Sequence, residues 1–375
     1  MTAKRPLVIS GGVLQRLTAQ DSLSVCDYPS WAVNGNGWAQ TARAFHGWWE
    51  RMYPQTAQSA TTFGNLAGTG KWFGGVLAPN RMIYGMPANS TTALKIDPTT
   101  DTAMTFGSFT GSANWAGGVL APNGMIYGIP NNSTTVLKID PTTDTATTFG
   151  NLPGTSKWMG GVVAPNGMIY GIPFSSTTVL KIDPTTDTAT TFGNLTSDWV
   201  GGVLAPNGMI YGIPRNNTTV LKIDPTTDTI TTFGNLAGTL KWVAGVLAPN
   251  GMIYGIPYSA TTVLKIDPTT DTATTFGNIN LVPGTGKWMG GVLAPNGMIY
   301  GISNLSTTVL KIDPTTDTAI TFGYLSGSGK WAGGVVAPNG TIYGIPYNAT
   351  TVLKLGSTFL DVQLAFCLSR FFNKY

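Results

Sequence analysis

The chain predicts an all-β fold, a seven-bladed propeller of four-stranded blades, and three observations lead there. Seven tryptophans, Trp72, Trp115, Trp158, Trp199, Trp242, Trp288 and Trp331, recur at separations of 43, 43, 41, 43, 46 and 43 residues, the period of a propeller blade. Each interval carries four short apolar segments separated by turn-forming residues. The apolar residues fall at successive as well as alternate positions, as they must in a sheet packed on both faces.

The innermost strand of each blade is expected at Gly-Gly-Val-Leu-Ala, Gly74 to Ala78 in the first unit, where paired glycines let backbones crowd around a central axis. Asn-Gly pairs at 123-124, 166-167, 207-208, 250-251, 296-297 and 339-340 then predict tight hairpins of type I′, with positive φ at both central residues. Arg81 replaces the glycine in the first unit, so a strained or altered turn is expected there. Met-Ile-Tyr-Gly-Ile forms the second strand and Val-Leu-Lys-Ile the third. Asp-Pro-Thr-Thr-Asp turns the chain into the outer strand, Ala-Thr-Thr-Phe.

Counting strands predicts how the ring closes. The first three strands occur seven times, ending at Lys354, but no Thr-Thr-Phe-Gly follows. That segment stands instead at Thr61-Thr62-Phe63-Gly64, ahead of the first tryptophan. Residues 59–64 should therefore complete the seventh blade and leave no open inner edge. The implied organisation is a segment 1–57 with a short helix near 37–52, a propeller over 58–356, and a tail 357–375 packing on the propeller.

Composition narrows the function classes. Charged residues make up 10% of the 375, and the net charge of +4 contains no basic run, which excludes a nucleic-acid-binding patch. No apolar stretch reaches the length of a membrane span, so no membrane insertion is expected. Cys26 and Cys367 are the only cysteines, too few for a disulfide framework or a thiolate metal site; they can pair only if the chain ends meet. The start Lys4-Arg5-Pro6-Leu7-Val8-Ile9 lacks a signal-peptide cleavage site, pointing to an unprocessed protein made in the cytoplasm. No phosphate loop, dinucleotide fingerprint, nucleophile elbow or metal motif occurs, so neither cofactor nor metal is expected.

The meander places two sets of connections at opposite ends of each blade. Pro-Asn-Gly and Asp-Pro-Thr-Thr-Asp are nearly constant, whereas the connections at the other end vary in sequence and length. They carry Phe174, Arg215, Tyr258 and Tyr347. Variable loops on a rigid scaffold suit binding, although drift in tolerant loops gives the same pattern. Five tryptophans follow a lysine, Lys71, Lys157, Lys241, Lys287 and Lys330, while Asn114 and Asp198 take its place elsewhere. Tryptophan there can stack on a sugar with lysine meeting a hydroxyl or acid. Alternatively, the tryptophans fill the gaps between blades and the lysines snorkel. The candidate ligand set is thus the seven tryptophans, the five lysines and the four loop residues.

Twelve of the seventeen acidic residues are the paired turn aspartates, from Asp97/Asp101 to Asp313/Asp317. Their spacing reads as turn building, the carboxylate accepting backbone N–H groups two residues on. His46 and Glu50, alone of their kinds, are four apart and lack a third catalytic partner. No catalytic residue is assigned and the chain is expected not to be an enzyme.

The units Gly-Gly-Val-x-Ala-Pro-Asn-Gly-x-Ile-Tyr-Gly-Ile-Pro and Val-Leu-Lys-Ile-Asp-Pro-Thr-Thr-Asp-Thr resemble the propeller repeats of NHL and virginiamycin B lyase-like proteins. Lyases of that group use His and Glu on the central face; residues 51–375 contain neither, so the activity does not carry over. The N-terminal segment Lys4-Arg5-Pro6-Leu7-Val8-Ile9-Ser10-Gly11-Gly12-Val13-Leu14-Gln15-Arg16-Leu17-Thr18-Ala19-Gln20-Asp21-Ser22-Leu23 resembles the start of bacteriophage tail-fibre and other virion structural proteins. That resemblance implies a multi-copy virion component, made in the host cytoplasm, anchored to other virion proteins through residues 1–57. The variable-loop face is then expected to meet a host-surface glycan or protein. A purely structural or decorating virion component is the alternative, and a lyase-like polysaccharide-degrading enzyme a further one.

Overall fold

The structure, a computed structural model, describes residues 7–10, 13–16 and 60–356, except 113, 197 and 280–283. Leu7–Ser10 and Val13–Arg16 pair as an antiparallel hairpin in a unit of their own. The helix expected near 37–52 and the tail 357–375 lie outside the described residues, as do Cys26, His46, Glu50 and Cys367.

Seven four-stranded antiparallel sheets form the propeller, six of them contiguous meanders. In the first blade the strands are Trp72–Leu77, Ile83–Pro87, Ala93–Asp97 and Thr102–Phe106. The seventh takes Trp331–Val336, Ile342–Pro346 and Val352–Leu355 from one end of the propeller sequence and Ala60–Phe63 from the other. Ala60 pairs with Leu355, Thr61 with Lys354, Thr62 with Leu353 and Phe63 with Val352. The expected clasp is therefore present.

The innermost strands begin earlier than the sequence suggested, at the tryptophan, with a bulge between Trp72 and Gly75 and its counterparts. The first glycine of each pair sits inside that bulge. A Cβ on Gly74 would lie 2.9 Å from the Gly117 Cα, closer than real side chains come, so only glycine backbones can approach so near the axis. Ala244 is the exception, held at φ 63°.

The Asn-Gly turns are not type I′. Gly124 has φ 82° whereas Asn123 is absent from the positive-φ residues, and the Gly124 N–H donates to the Ala121 carbonyl at 3.0 Å. This is a type I turn followed by a left-handed glycine, the three-residue hairpin loop. Asparagine is there for its side chain: Asn123 Oδ1 accepts the Met125 N–H, and Nδ2 donates to the Tyr127 hydroxyl and to the Pro184 carbonyl of the next blade. Arg81 keeps the turn and adopts φ 69°, which makes it strained but unaltered in form.

The core lies between blades. Val119, Tyr127, Ile129 and Val136 of the second blade pack with Trp158, Ile169, Leu180 and Ile182 of the third. The last such layer joins Tyr343, Ile345 and Val352 to Trp72, Ile83 and Leu94. No blade buries its faces alone.

Candidate functional site

The constant-turn end is bound together by its aspartates. The first of each pair caps its own turn, as Asp183 Oδ1 does by accepting the Thr185 N–H at 2.8 Å. Those hydrogen bonds from threonine hold the Asp140, Asp183, Asp224 and Asp267 carboxyls below the usual range. The second aspartate reaches back to the preceding blade. Asp144 accepts from the Tyr84 hydroxyl at 2.7 Å and pairs with Lys95 Nζ at 2.6 Å. The same strap recurs at Lys138–Asp187, Lys181–Asp228, Lys222–Asp271, Lys265–Asp317 and Lys354–Asp101. Burial, with the neighbouring carboxylates adding, pushes the Tyr211, Tyr254 and Tyr343 hydroxyls up to about 12. Turn building accounts for the first aspartates; their partners' role as interblade straps was not legible in the sequence.

At the variable-loop end most of the expected ligand residues are internal. Trp72, Trp115, Trp158, Trp199, Trp242, Trp288 and Trp331 are at most 4% exposed, and each indole N–H donates to a threonine carbonyl of its own blade. Lys71, Lys157, Lys241, Lys287 and Lys330 are at most 5% exposed. Lys157 Nζ donates to the carbonyls of Gly154, Asn131 and Ser133, so it ties its own loop to the preceding blade. Lys71, Lys241 and Lys330 do the same. Burial lowers all five ammonium groups from their ordinary value. Neither the tryptophans nor these lysines offer a ligand a surface. Buried to this degree, the tryptophans and lysines serve the ring as scaffold, and the Nζ donors of Lys71, Lys157, Lys241 and Lys330 are taken up by carbonyls.

The loop residues behave differently. Phe174, Arg215, Tyr258 and Tyr347 are all only partly buried. The Arg215 guanidinium stands 5.1 Å from the Phe174 ring centroid and 6.0 Å from that of Tyr258, bridging three successive blades. Its Nη1 lies 3.5 Å from Oδ1 of Asp198, the residue that replaces lysine in the fourth blade. Asn216 Nδ2 donates to the other carboxylate oxygen. Substituting an acid for one scaffold lysine thus creates an arginine platform found in no other blade among the described residues. Tyr347 meets Phe73 edge-on at 6.3 Å on the far side of the ring.

Phe73 opens onto the axis. It lines an axial cavity of about 280 Å³ together with Met159, Val200, Val243, Met289 and the glycine pairs. The lining supplies apolar side chains and backbone groups, with no acid, base or nucleophile. Sequence reasoning passed over these residues, although the position after each tryptophan varies among Phe, Ala, Met and Val within an otherwise constant repeat. Among the described residues no cluster of three or more His, Cys, Asp or Glu gathers.

A family profile described as a repeat of unknown function, DUF6923, matches residues 126–251 and 167–328, together more than half the chain. The chain belongs to this family. No curated protein matches the sequence. Among solved structures, the DUF6923 chain is similar to a streptogramin B lyase, with 12% identity and TM-score 0.69 over 80% of this chain and 97% of that one. Virginiamycin B lyase from Staphylococcus aureus gives 11% identity and TM-score 0.68 over 80% and 99%. Hydrazine synthase from Kuenenia stuttgartiensis gives 13% and 0.59 over 82% and 99%. At these identities the likeness shows a shared fold.

Proposed function

We propose that the protein is a virion structural component, a tail fibre or similar spike-like part, that displays its propeller for host-surface recognition. The observation that carries the recognition role is the Phe174–Arg215–Tyr258 platform beside Asp198, the point where a sevenfold scaffold becomes individual. Aromatic rings suit the apolar faces of sugars, and a guanidinium supplies several donors to hydroxyl or carboxylate groups. A glycan, in preference to a protein, is therefore the ligand class favoured at this face. The virion setting rests on the resemblance of residues 4–23 to tail-fibre starts. A non-catalytic role is supported by the sequence of the propeller, which has no histidine or glutamate.

The full-length protein, screened against arrayed bacterial surface glycans and against intact host envelopes, should bind a restricted set. Arg215→Ala and Tyr258→Ala should weaken that binding without lowering the melting temperature. Binding to no envelope material, with particle assembly still dependent on the protein, would favour the decorating role, for which the wholly internal tryptophans and lysines already speak.

A further inference from the structure

The residues that follow the seven tryptophans run around the axis in a mirror order. Phe73 of the first blade stands between Ala116 and Ala332 of its two neighbours. Met159 and Met289 come next on either side, and Val200 and Val243 of the fourth and fifth blades lie across the ring from Phe73. A repeat that is otherwise nearly constant along this strand therefore changes this one position, and changes it in matched pairs. The alanines do not line the axial cavity of about 280 Å³, so its side-chain walls are one aromatic ring, two flexible thioethers and two branched side chains.

Size and chemistry narrow the occupant. The volume is nearly twice the about 150 Å³ that holds a benzene in an apolar protein cavity, so a single methyl group would leave most of it empty. The lining side chains carry no charge and no hydrogen-bonding group, and a sugar ring drawn inside would set its hydroxyls against Phe73, the methionines and the valines. An uncharged chain of several carbons fits instead.

The cavity also reaches the variable-loop end. Its lining residues stand second in the innermost strands, directly after the tryptophans with which those strands begin at that end. The Phe73 ring meets Tyr347 of the last variable loop edge-on, with centroids 6.3 Å apart. Met159, Val200 and Val243 belong to the same three blades as Phe174, Arg215 and Tyr258. We infer that the axial cavity receives an acyl substituent of the surface glycan, with its ester or amide carbonyl at the mouth and its carbon chain between Phe73 and the two valines. This rests on the glycan reading above and extends it: the platform grips the sugar, and the cavity selects among glycans by what the sugar carries.

The test titrates methyl hexanoate into full-length protein labelled with ¹³C at the methionine methyl groups, with Met159→Leu and Met289→Leu assigning the two cavity signals. Both signals should shift saturably while the other methionine signals stay in place. Val200→Phe fills the cavity and should abolish the shifts, and Val243→Phe serves if that variant does not fold. No saturable shift, or a shift undiminished by filling, overturns the inference. A second arm measures binding of a glycan recognised by the protein before and after hydrazine removes its acyl groups. At least about tenfold weaker binding is expected afterwards. Equal binding overturns the glycan as the source of the acyl group. Saturation by methyl hexanoate without binding of any glycan overturns the glycan reading and leaves the acyl site standing, whereas glycan binding without saturation by the ester overturns this inference alone.

Discussion

The hydroxyl of Tyr343 in the seventh blade donates to Oδ1 of Asp101 in the first at 2.9 Å, across 242 residues of sequence. Asp101 Oδ2 pairs with Lys354, so one carboxylate holds two strands of the last blade to the first. Because the pair is partly exposed, Asp101→Asn should cost about 1 kcal/mol, and combining it with Lys354→Met should add less than the sum of the two. Denaturant melts of the single and double variants provide the check.

Closure by Ala60–Phe63 has a larger consequence. Deleting residues 58–66 removes the outer strand of the seventh blade and, with Phe63 and Leu66, part of the apolar layer between the seventh and first blades. Cooperative melting should be lost or shifted strongly downward. A deletion that melts as the intact chain does would show that the clasp contributes nothing.

Four residues among those described occupy left-handed backbone positions where counterparts in other blades are glycine, Ser156 and Leu240 ahead of their lysines, Arg81 at φ 69° and Ala244 at φ 63°, and the last two are the most displaced. Arg81→Gly and Ala244→Gly should each stabilise by about 0.5–1 kcal/mol, relief of the left-handed strain exceeding the entropy that glycine adds to the unfolded chain. Thermal denaturation should show both gains, and additively, since the sites belong to different blades.

Stability and binding should separate at the loop face. Lys157→Met removes the Nζ donor from three carbonyls, one of the hydrogen bonds buried and two part-buried, and should destabilise by about 1–2 kcal/mol while ligand binding persists below the melting point. Arg215→Ala should do the opposite. If Arg215→Ala lowers stability as much as Lys157→Met, the platform is another interblade tie.

Acid should weaken the turns together. The Asp140, Asp183, Asp224 and Asp267 carboxyls titrate below 3.8 because threonine hydrogen bonds favour the ionised form. Their contribution is complete above the unfolded value, near 3.8, and is lost as pH falls through the depressed folded values. Melting temperature should therefore drop steeply below about pH 4, the range where carboxylates protonate, and Asp183→Asn should flatten that drop.

The repeat by itself determined the blade count, the four-stranded meander, the clasp and the division between constant turns and variable loops. All of these follow from local hydrogen-bonding patterns repeated at a fixed period. It located the turn aspartates but assigned only half of their work, since the acceptor for Tyr84 and Lys95 lies 60 and 49 residues away in another blade. The tryptophan–lysine pairs show the same limit. Whether a residue at a loop end faces solvent or carbonyls depends on how closely the next blade approaches, and that distance is set by glycine contacts around the axis. Lys157 and Arg215 therefore looked alike as candidates in the sequence. Only tertiary packing buried the first among three carbonyls and left the second between two aromatic rings, because burial is a property of neighbouring blades and not of the strand that carries the residue.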